Sequence, residues 1–259
     1  MIAKTTLMAA AMLAMAACAA QDDGKAKPED TEVWSPLPPR VAPAAASKAP
    51  SDAVVLFDGR NLDEWESNLR PGEPAGWTVA DGVLTVRAGA GNIQTRRRFT
   101  DYQLHLEWRE PAGIGGTGQG KGNSGLFLAS TGPKDDGYEL QILDCADNQT
   151  YVNGQAASIY KQHIPLANAC AAAGEWQTYD VIWTAPRFTS AGTLEAPAYV
   201  TVLHNGVLVQ NHVALQGETR YIGKPFYRQH GAASIKLQDH GNPVGFRNIW
   251  IRQLGKVAE

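Results

Sequence analysis

Two polar side chains interrupt an otherwise apolar run at residues 137–144, and their types could carry chemistry. Glu139 and Gln141 are separated by one residue, so in a strand they point to one face while the apolar residues between them point to the other. A carboxylate beside an amide can bind sugar hydroxyls, or the carboxylate can transfer a proton while the amide holds the substrate. An ordinary solvated strand face would show the same alternation. The run is therefore a candidate site, with a solvated face as the alternative.

Short strands separated by turn signals surround this run. Residues 102–109 alternate apolar and polar side chains, which indicates a half-buried strand with a polar second face. Asp81-Gly82 and Asn205-Gly206 favour tight hairpin turns. With 26 Gly, 15 Pro and no amphipathic helix of useful length, the sequence predicts an all-β sandwich or jelly roll. The predicted strands lie at 54–59, 77–86 (a hairpin), 102–109, 123–128, 137–144, 176–183, 198–203, 207–209, 234–240 and 246–252.

Composition and charge narrow the class of protein. The chain has 259 residues, of which 19% are charged, and a formal net charge of −3. It has no basic excess of the kind that nucleic-acid-binding proteins carry, so we expect no nucleic-acid partner. Without its N-terminal segment the chain is about 200 residues long, which suits one all-β domain.

The N-terminus has the pattern of an export signal. Lys4 supplies a positive charge, and residues 7–17 form a short apolar run that ends in small residues. The run is too short for a membrane span, so residues 1–18 are predicted to be a signal peptide. Its end resembles a bacterial lipobox, in which Cys18 would become the lipidated first residue of the mature protein. An apolar signal residue without a lipid is the alternative for Cys18.

The residues that follow the signal predict a tether. Residues 19–52 are rich in Ala, Pro, Lys and Asp and bury too little apolar surface to offset the entropy of ordering. The folded domain is predicted to span residues 53–259. Because Ala19 resembles an outer-membrane sorting signal, we expect a periplasmic or outer-membrane lipoprotein of a Gram-negative bacterium, in contact with the membrane only through its lipid anchor.

Two further cysteines lie in the exported part. Cys145 and Cys170 are predicted to form a disulfide, because oxidation is permitted there. On the chain-entropy description, closing this loop would stabilise the fold by about 3 kcal/mol. Two separate buried thiols are the alternative.

A glycine-rich segment at residues 113–122 precedes the strand at 123–128. It lacks the Gly-Lys-Ser/Thr ending and the following helix of a phosphate-binding loop. We therefore predict a flexible loop beside the site and no nucleotide.

Several short motifs, in order along residues 54–254, resemble those of the bacterial 3-keto-disaccharide hydrolase family. The motifs are Phe57-Asp58-Gly59, Asn123-Ser124-Gly125, residues 137–144, Ile159-Tyr160, Glu175-Trp176, Asn205-Gly206, residues 237–241 and residues 246–249. The resemblance implies a concanavalin A-like jelly-roll sandwich of two antiparallel sheets with a carbohydrate site on its concave sheet. It also implies action on sugars oxidised at C3, which a separate sugar 3-oxidoreductase would supply.

Such a substrate suggests a mechanism. A ketone at C3 acidifies the C2 proton, so that a base can form an enolate, which expels the glycosidic oxygen from C1. The route needs a base, a group that stabilises the enolate and an acid for the leaving group. Water addition to the enone would complete a hydrolysis. An ordinary retaining β-glucanase is disfavoured, because Gln141 stands where laminarinase-type enzymes have another carboxylate.

Strand parity selects candidate side chains, on the hypothesis that the polar strand faces form one concave surface. Glu139 and His240 are predicted to transfer protons, with Glu107 in reserve. Lys236 or Arg109 would hold the keto or enolate oxygen. The predicted ligands of sugar hydroxyls are Asn123, Gln141, Tyr160 and Gln238. As alternatives, His240 could bond its own turn and Tyr160 could belong to the core.

Two questions stay open at this stage. His105, Glu107, Glu139 and His240 are capable ligands for a divalent metal, which would serve the enolate as a Lewis acid, although no His-x-x-x-His spacing occurs. The rival function is a non-catalytic, lectin-like carbohydrate-binding module, because the same fold supports both.

Overall fold

The computed structural model describes residues 26–45 and 48–255, which fall into two compact units that divide at Pro38. In the first unit, Pro28–Thr31 form a 3₁₀ turn and residues 26–38 are exposed. The second unit begins at Pro39, ahead of the predicted domain start at residue 53. The predicted signal peptide, with Cys18, lies outside the described residues. Whether residues 19–52 act as a tether stays a prediction.

Strands dominate the second unit. They are β1 (Val54–Phe57), β2 (Trp65–Ser67), β3 (Thr78–Ala80), β4 (Val83–Thr85), β5 (Ile93–Thr95), β6 (Tyr102–Arg109), β7 (Ser124–Ser130), β8 (Gly137–Ile142), β9 (Gln177–Thr184), β10 (Arg187–Phe188), β11 (Leu194–Ala196), β12 (Tyr199–His204), β13 (Val207–Ala214), β14 (Ser234–Leu237) and β15 (Gly245–Gln253). Two more 3₁₀ turns span Gly118–Gly120 and Val152–Gly154. In the described part of the chain, no helix has the length and apolar character needed to cross a membrane.

These strands build two main antiparallel sheets, which confirms the predicted jelly-roll sandwich. One sheet has five strands in the order β2-β5-β14-β7-β8. The other has eight, in the order β13-β12-β9-β6-β15-β4-β3, with β1 paired to β15. Strands β10 and β11 form a separate ribbon. The two dipeptides form the predicted tight turns, with positive φ angles of 51° at Asp81 and 50° at Asn205.

The core lies between the two main sheets. Along β6, buried and half-buried residues alternate as predicted, with Tyr102, Leu104, Leu106 and Trp108 on the buried side. Tyr102 donates a hydrogen bond to the Leu128 carbonyl of the five-stranded sheet at 2.6 Å. A buried tyrosine needs such a partner for its hydroxyl group, so the bond also fixes the separation of the sheets.

Strand β8 is buried on both faces, unlike β6. It is an edge strand, and loops cover the backbone groups that an edge leaves unpaired. Glu139 N donates to Thr219 Oγ1 at 3.0 Å, and Tyr160 N donates to the Glu139 carbonyl at 3.1 Å. Gln141 N donates to the Ser158 carbonyl at 3.0 Å. These loops rise beside the polar face of β8 and enclose it.

The strand predicted at 234–240 is shorter than expected, because β14 ends at Leu237. Asp239 accepts hydrogen bonds from the backbone N–H groups of Gly91 (2.9 Å) and Gly241 (3.0 Å), and these bonds hold the chain in a turn. After that turn, β15 joins the other sheet. Parity counting therefore does not extend to His240.

Cys145 and Cys170 are joined by a disulfide, as predicted, with their Cα atoms 5.9 Å apart. The disulfide closes the loop that follows β8. This loop lies beside the polar face of β8.

Candidate active site

One row of paired side chains crosses the five-stranded sheet on the face away from the core. Directly opposed positions in neighbouring strands carry side chains on the same face. The strand registers give the row as Glu66, Gln94, Lys236, Phe127 and Glu139. Tyr160 extends it at the β8 edge through its hydrogen bond to the Glu139 backbone.

A cleft of about 460 Å³ opens over the Glu139 end of this row. Six of the nine predicted site residues line it, and the other three do not. Those in the cleft are Asn123, Glu139, Gln141, Tyr160, Gln238 and His240. The sequence analysis thus located the cleft, and the roles assigned to its residues stay predictions.

Glu139 is the buried acid of the cleft, with 5% of its surface exposed. Burial raises the pKa of Glu139 to about 8, the Asp135 carboxylate acts in the same direction, and the Lys236 ammonium opposes them. Desolvation disfavours the charged form, so the ionised carboxylate is a stronger base than one in water. Its pKa near neutrality suits proton transfer at physiological pH.

Gly125 makes room for this carboxyl group. A Cβ atom at Gly125 would lie 2.5 Å from Glu139 Oε1 and 3.2 Å from Gln238 Oε1. The absence of a side chain at Gly125 thus leaves space for the Glu139 carboxyl group and the Gln238 carboxamide. Glycine is needed here for this space and not for a turn.

Gly125→Ala is expected to displace the Glu139 carboxyl group and to lower kcat by about 10²-fold, because small misplacements of a reacting group are costly. Steady-state kinetics on the substrate proposed below would measure this. The fold should persist, since the added methyl group meets the flexible end of a side chain. Unchanged kcat would show that the position of the carboxyl group is unimportant.

Three carboxamides line the cleft together with Glu139, and each has a buried side-chain oxygen. Asn123, Gln141 and Gln238 are each less than 7% exposed, and their side-chain oxygens have no hydrogen-bond partner among the described residues. Their nitrogens are engaged: Gln141 Nε2 donates to Gln119 Oε1 at 3.0 Å, and Gln238 Nε2 donates to Asp135 Oδ1 at 3.0 Å. Buried polar atoms are normally paired, so these three unpaired acceptors are candidates for hydrogen bonds from a ligand.

Gln119 ties the glycine-rich loop to the cleft. It accepts from Gln141 and from the Asn123 side chain, whose Nδ2 lies 2.7 Å from the Gln119 carbonyl. Its own Nε2 donates to Thr150 Oγ1 at 2.9 Å and to the Gly154 carbonyl at 2.8 Å. The loop lies beside the site as predicted, and through Gln119 it also orients two of the three carboxamides.

An aromatic wall faces the carboxamides. The hydroxyl groups of Tyr151 and Tyr160 lie 2.5 Å apart, and Lys161 Nζ donates to the Tyr221 carbonyl at 2.6 Å. Burial raises the pKa of Tyr160 and that of Tyr151, so both phenols keep their protons at neutral pH. One of the two phenol O–H groups donates to the other tyrosine's oxygen, and the second O–H group is available to a ligand.

Lys236 lies on the predicted face but does not line the cleft. Its Nζ donates to the carbonyl groups of Lys134 (2.6 Å) and Asp136 (2.7 Å) and lies 4.3 Å from the centre of the Phe127 ring. The loop at 131–136 folds back over the sheet and covers it, so that its side chain is fully buried. The predicted role in holding a keto or enolate oxygen is therefore wrong for Lys236, which holds the loop that delivers Asp135.

Glu107 and Arg109 lie in the other sheet, so the hypothesis of one shared surface is wrong for β6. Glu107 accepts hydrogen bonds from Arg247 Nε and, at 2.8 Å, from Asn248 Nδ2. Arg109 stacks on Trp176, with 4.5 Å between its guanidinium carbon and the ring centre. Parity distinguishes the two faces of a strand, but it does not tell which sheet the strand joins.

The metal ligands named from the sequence are divided in the same way. His105 and Glu107 belong to the eight-stranded sheet, whereas Glu139 and His240 line the cleft, where His240 stands exposed at the rim. Within residues 26–45 and 48–255, no three His, Cys, Asp or Glu side chains gather in a way that could hold a metal ion. That set of four therefore does not form one metal site.

Several residues of the cleft escaped the sequence analysis: Gln119, Asp135, Tyr151, Lys161, Thr219 and Tyr221. All lie outside the strands, with Gln119 in the 3₁₀ turn at Gly118–Gly120, so strand parity gives no information about them. Asp135 carried a usable signal, since it lies in the turn directly before the candidate strand and such a turn can fold over the sheet. The remaining residues lie at the cleft because parts of the chain that are distant in sequence contact each other in the fold.

Comparison with known proteins gives consistent matches. A family model described as a 3-keto-alpha-glucoside-1,2-lyase-like domain matches residues 52–252. A 3-keto-disaccharide hydrolase of Bacteroides thetaiotaomicron is 23% identical over 246 residues, which cover 78% of this chain and 78% of that protein. The crystal structure of a candidate glycosyl hydrolase from Parabacteroides distasonis is 49% identical, covers 88% of this chain and 97% of its own, and superposes with a TM-score of 0.81. Another from that organism, at 23% identity, has a TM-score of 0.59 over 79% of this chain and 94% of its own, and supports the fold alone.

Proposed function

Because the chain belongs to the 3-keto-alpha-glucoside-1,2-lyase-like domain family, we propose that it cleaves the glycosidic bond of 3-keto-glycosides and 3-keto-disaccharides by removing the C2 proton. The family and the named hydrolase relative support a carbohydrate-active enzyme that cleaves glycosides. The observation that carries the mechanism is Glu139, a buried carboxyl group of raised pKa at the bottom of a cleft with free carboxamide oxygens.

Glu139 is the base in this mechanism. The ketone at C3 makes the C2 hydrogen acidic, and the desolvated carboxylate removes it to form an enolate. The free oxygens of Asn123, Gln141 and Gln238 accept hydrogen bonds from sugar hydroxyls and hold C2 towards the base. The enolate then expels the aglycone oxygen from C1, and water addition to the enone gives net hydrolysis.

The tyrosine pair stabilises the charge that develops on the C3 oxygen. Tyr160 is the neighbour of Glu139 in the row, and the Tyr151–Tyr160 pair has one O–H left to donate. A neutral, desolvated phenol is a strong donor to an enolate oxygen because it brings no charge that must be solvated. This pair takes the role first given to Lys236 or Arg109. His240, an exposed residue of the cleft lining, would protonate the departing aglycone oxygen.

The test uses the purified chain and a 3-keto-glucoside with a chromogenic aglycone, beside the same glucoside without the ketone. Release from the keto sugar alone is expected, since only the ketone acidifies C2. Equal release from both would identify an ordinary glycosidase, for which Asp135 would be the second carboxylate of the cleft. Sugar binding without release from either would favour the lectin-like alternative. A parallel assay with chelator tests whether a divalent metal takes part.

The pH dependence follows from the pKa of Glu139. Only the ionised carboxylate accepts the C2 proton, so kcat/KM is expected to rise about tenfold per pH unit below the pKa and to level off above about 8. A pH–rate profile on the 3-keto-glucoside would show this. A rate that is flat between pH 5 and 8 would exclude a base with this pKa.

The proposal also covers the setting of the reaction. The substrate must already carry a ketone, so a separate sugar 3-oxidoreductase would supply it. The disulfide between Cys145 and Cys170 fits an oxidising compartment, in agreement with export to the periplasm or outer membrane of a Gram-negative bacterium.

Anchoring through a lipid on Cys18 would then be the only contact with the membrane. Radiolabelled fatty-acid incorporation, lost in Cys18→Ser, would test the anchor.

A further inference from the structure

Four large, mainly apolar side chains are exposed in two neighbouring pairs along the chain, each pair containing one tyrosine of the cleft. Tyr151 is 40% exposed, Val152 56%, Tyr221 72% and Ile222 83%. They come from two loops that are distant in sequence, and Tyr151 and Tyr221 also line the cleft itself. We refer to these four residues as the rim platform.

Lys161 joins the two halves of the rim platform. Its Nζ lies 4.3 Å from the centre of the Tyr221 ring and 5.7 Å from that of the Tyr151 ring. The same ammonium group donates to the Tyr221 carbonyl at 2.6 Å. Both rings therefore lie within about 6 Å of one cation that also lines the cleft.

The chemistry of the rim platform differs from that of the cleft interior. The cleft lining includes three carboxamide oxygens without a hydrogen-bond partner, which the proposed mechanism assigns to sugar hydroxyls. On the rim platform, Val152 and Ile222 offer only apolar surface, and the two tyrosines offer ring faces. A second sugar would have to bury hydroxyl groups against Val152 and Ile222, which offer no hydrogen bonds, whereas a flat aromatic group gains from burying apolar area and from ring stacking.

We propose that the rim platform is the aglycone subsite, and that it selects 3-keto-glycosides whose aglycone is a flat aromatic group. This inference rests on the proposed function, because it requires the keto sugar to occupy the cleft beside Glu139. The aglycone leaves from C1 through the open mouth of the cleft, so the group that stacks on the rim platform is the leaving group.

The test compares aryl and methyl 3-keto-glucosides in the wild type and in the double variant Tyr221→Ala, Ile222→Ser. Substitution keeps the Tyr221 carbonyl that holds Lys161. We expect kcat/KM for the aryl substrate to fall about tenfold through a higher KM, in line with the loss of one stacked ring and its apolar neighbour. The methyl substrate should lose less than the aryl substrate, because Tyr221 also lines the cleft but methyl is too small to stack on its ring. Leu166→Ser, at a 68% exposed leucine that does not line the cleft, is the matched control and should alter neither substrate.

Three results would overturn the proposal: no change for either substrate, an equal loss for both, or a greater loss for a 3-keto-disaccharide than for the aryl substrate. Binding to the Glu139→Gln variant, measured by calorimetry with unoxidised aryl and methyl glucosides, separates this proposal from the proposed function. An aryl preference in binding that the double variant abolishes would support the rim platform even if no 3-keto sugar is cleaved. Equal affinity for the two glucosides would count against it.

Discussion

Glu139→Gln is expected to lower kcat for a 3-keto-glucoside by about 10³-fold, within the range that a general base contributes. The amide has the shape of the carboxyl group and fits above Gly125, but it cannot accept the C2 proton. Substrate affinity should change only a fewfold, because the proposal assigns the sugar hydroxyls to the three carboxamides and not to Glu139. A loss confined to kcat identifies an interaction made in the transition state. Single-turnover kinetics would measure the effect on the chemical step, and a separate binding measurement would give the effect on substrate affinity.

Glu107→Gln provides the matched control. It makes the same chemical change at a carboxylate of the eight-stranded sheet, where Glu107 is paired with Arg247. Its kcat should stay within a fewfold of the wild type. If Glu107→Gln were as inactive as Glu139→Gln, a general effect of lost charge would explain both. If Glu139→Gln kept full activity, the base would have to be another group of the cleft.

Lys236→Met is expected to destabilise the fold by about 2 kcal/mol and to raise KM. The thioether fills similar space but donates no hydrogen bond, which leaves the carbonyl groups of Lys134 and Asp136 without the buried ammonium. Burial lowers the pKa of Lys236 to about 8, which shows that the buried ammonium group itself destabilises the fold. Removing this charge therefore offsets part of the cost of the lost hydrogen bonds. The freed loop would move Asp135 away from Gln238. The Gln238 carboxamide would then lose the hydrogen bond that orients it, and KM would rise.

Urea denaturation and steady-state kinetics would measure the two effects. Lys134→Met is the matched control, because it changes an exposed lysine of the same loop. That variant should be as stable and as active as the wild type. A Lys236→Met protein with normal stability and a greatly lowered kcat would instead return Lys236 to a direct role in chemistry.

Local patterns allowed much of the fold to be predicted. The alternation in residues 102–109 became β6 at the predicted residues, and the Asp81-Gly82 turn joins β3 to β4. Such features depend on near neighbours in the chain, since pleating and turn geometry are set within a few residues. The polar pair on β8 was also identified correctly, because its parity is a local property.

The predictions that were wrong concern long-range arrangement. Glu107 has the expected parity within β6, but β6 lies in the sheet that does not carry the cleft. Lys236 lies in the same row as Glu139, but a hairpin turn folds over it. The aromatic wall is built from loops that meet only in the folded chain, so no period in the sequence marks Tyr151 or Tyr221.

The central claim is that the C2 hydrogen is removed in the reaction. A 3-keto-glucoside deuterated at C2 tests it directly in ordinary water, with the product analysed by mass spectrometry and with a control for exchange without enzyme. We predict that the released sugar has lost its deuterium, whether it is the enone or its hydrate, and that Glu139→Gln suppresses this loss. The buried Glu139 carboxyl group can return the deuteron to C2 when water adds, so the rate is compared as well. Deuterium fully retained at C2, with aglycone release as fast as from the undeuterated substrate, would contradict the mechanism.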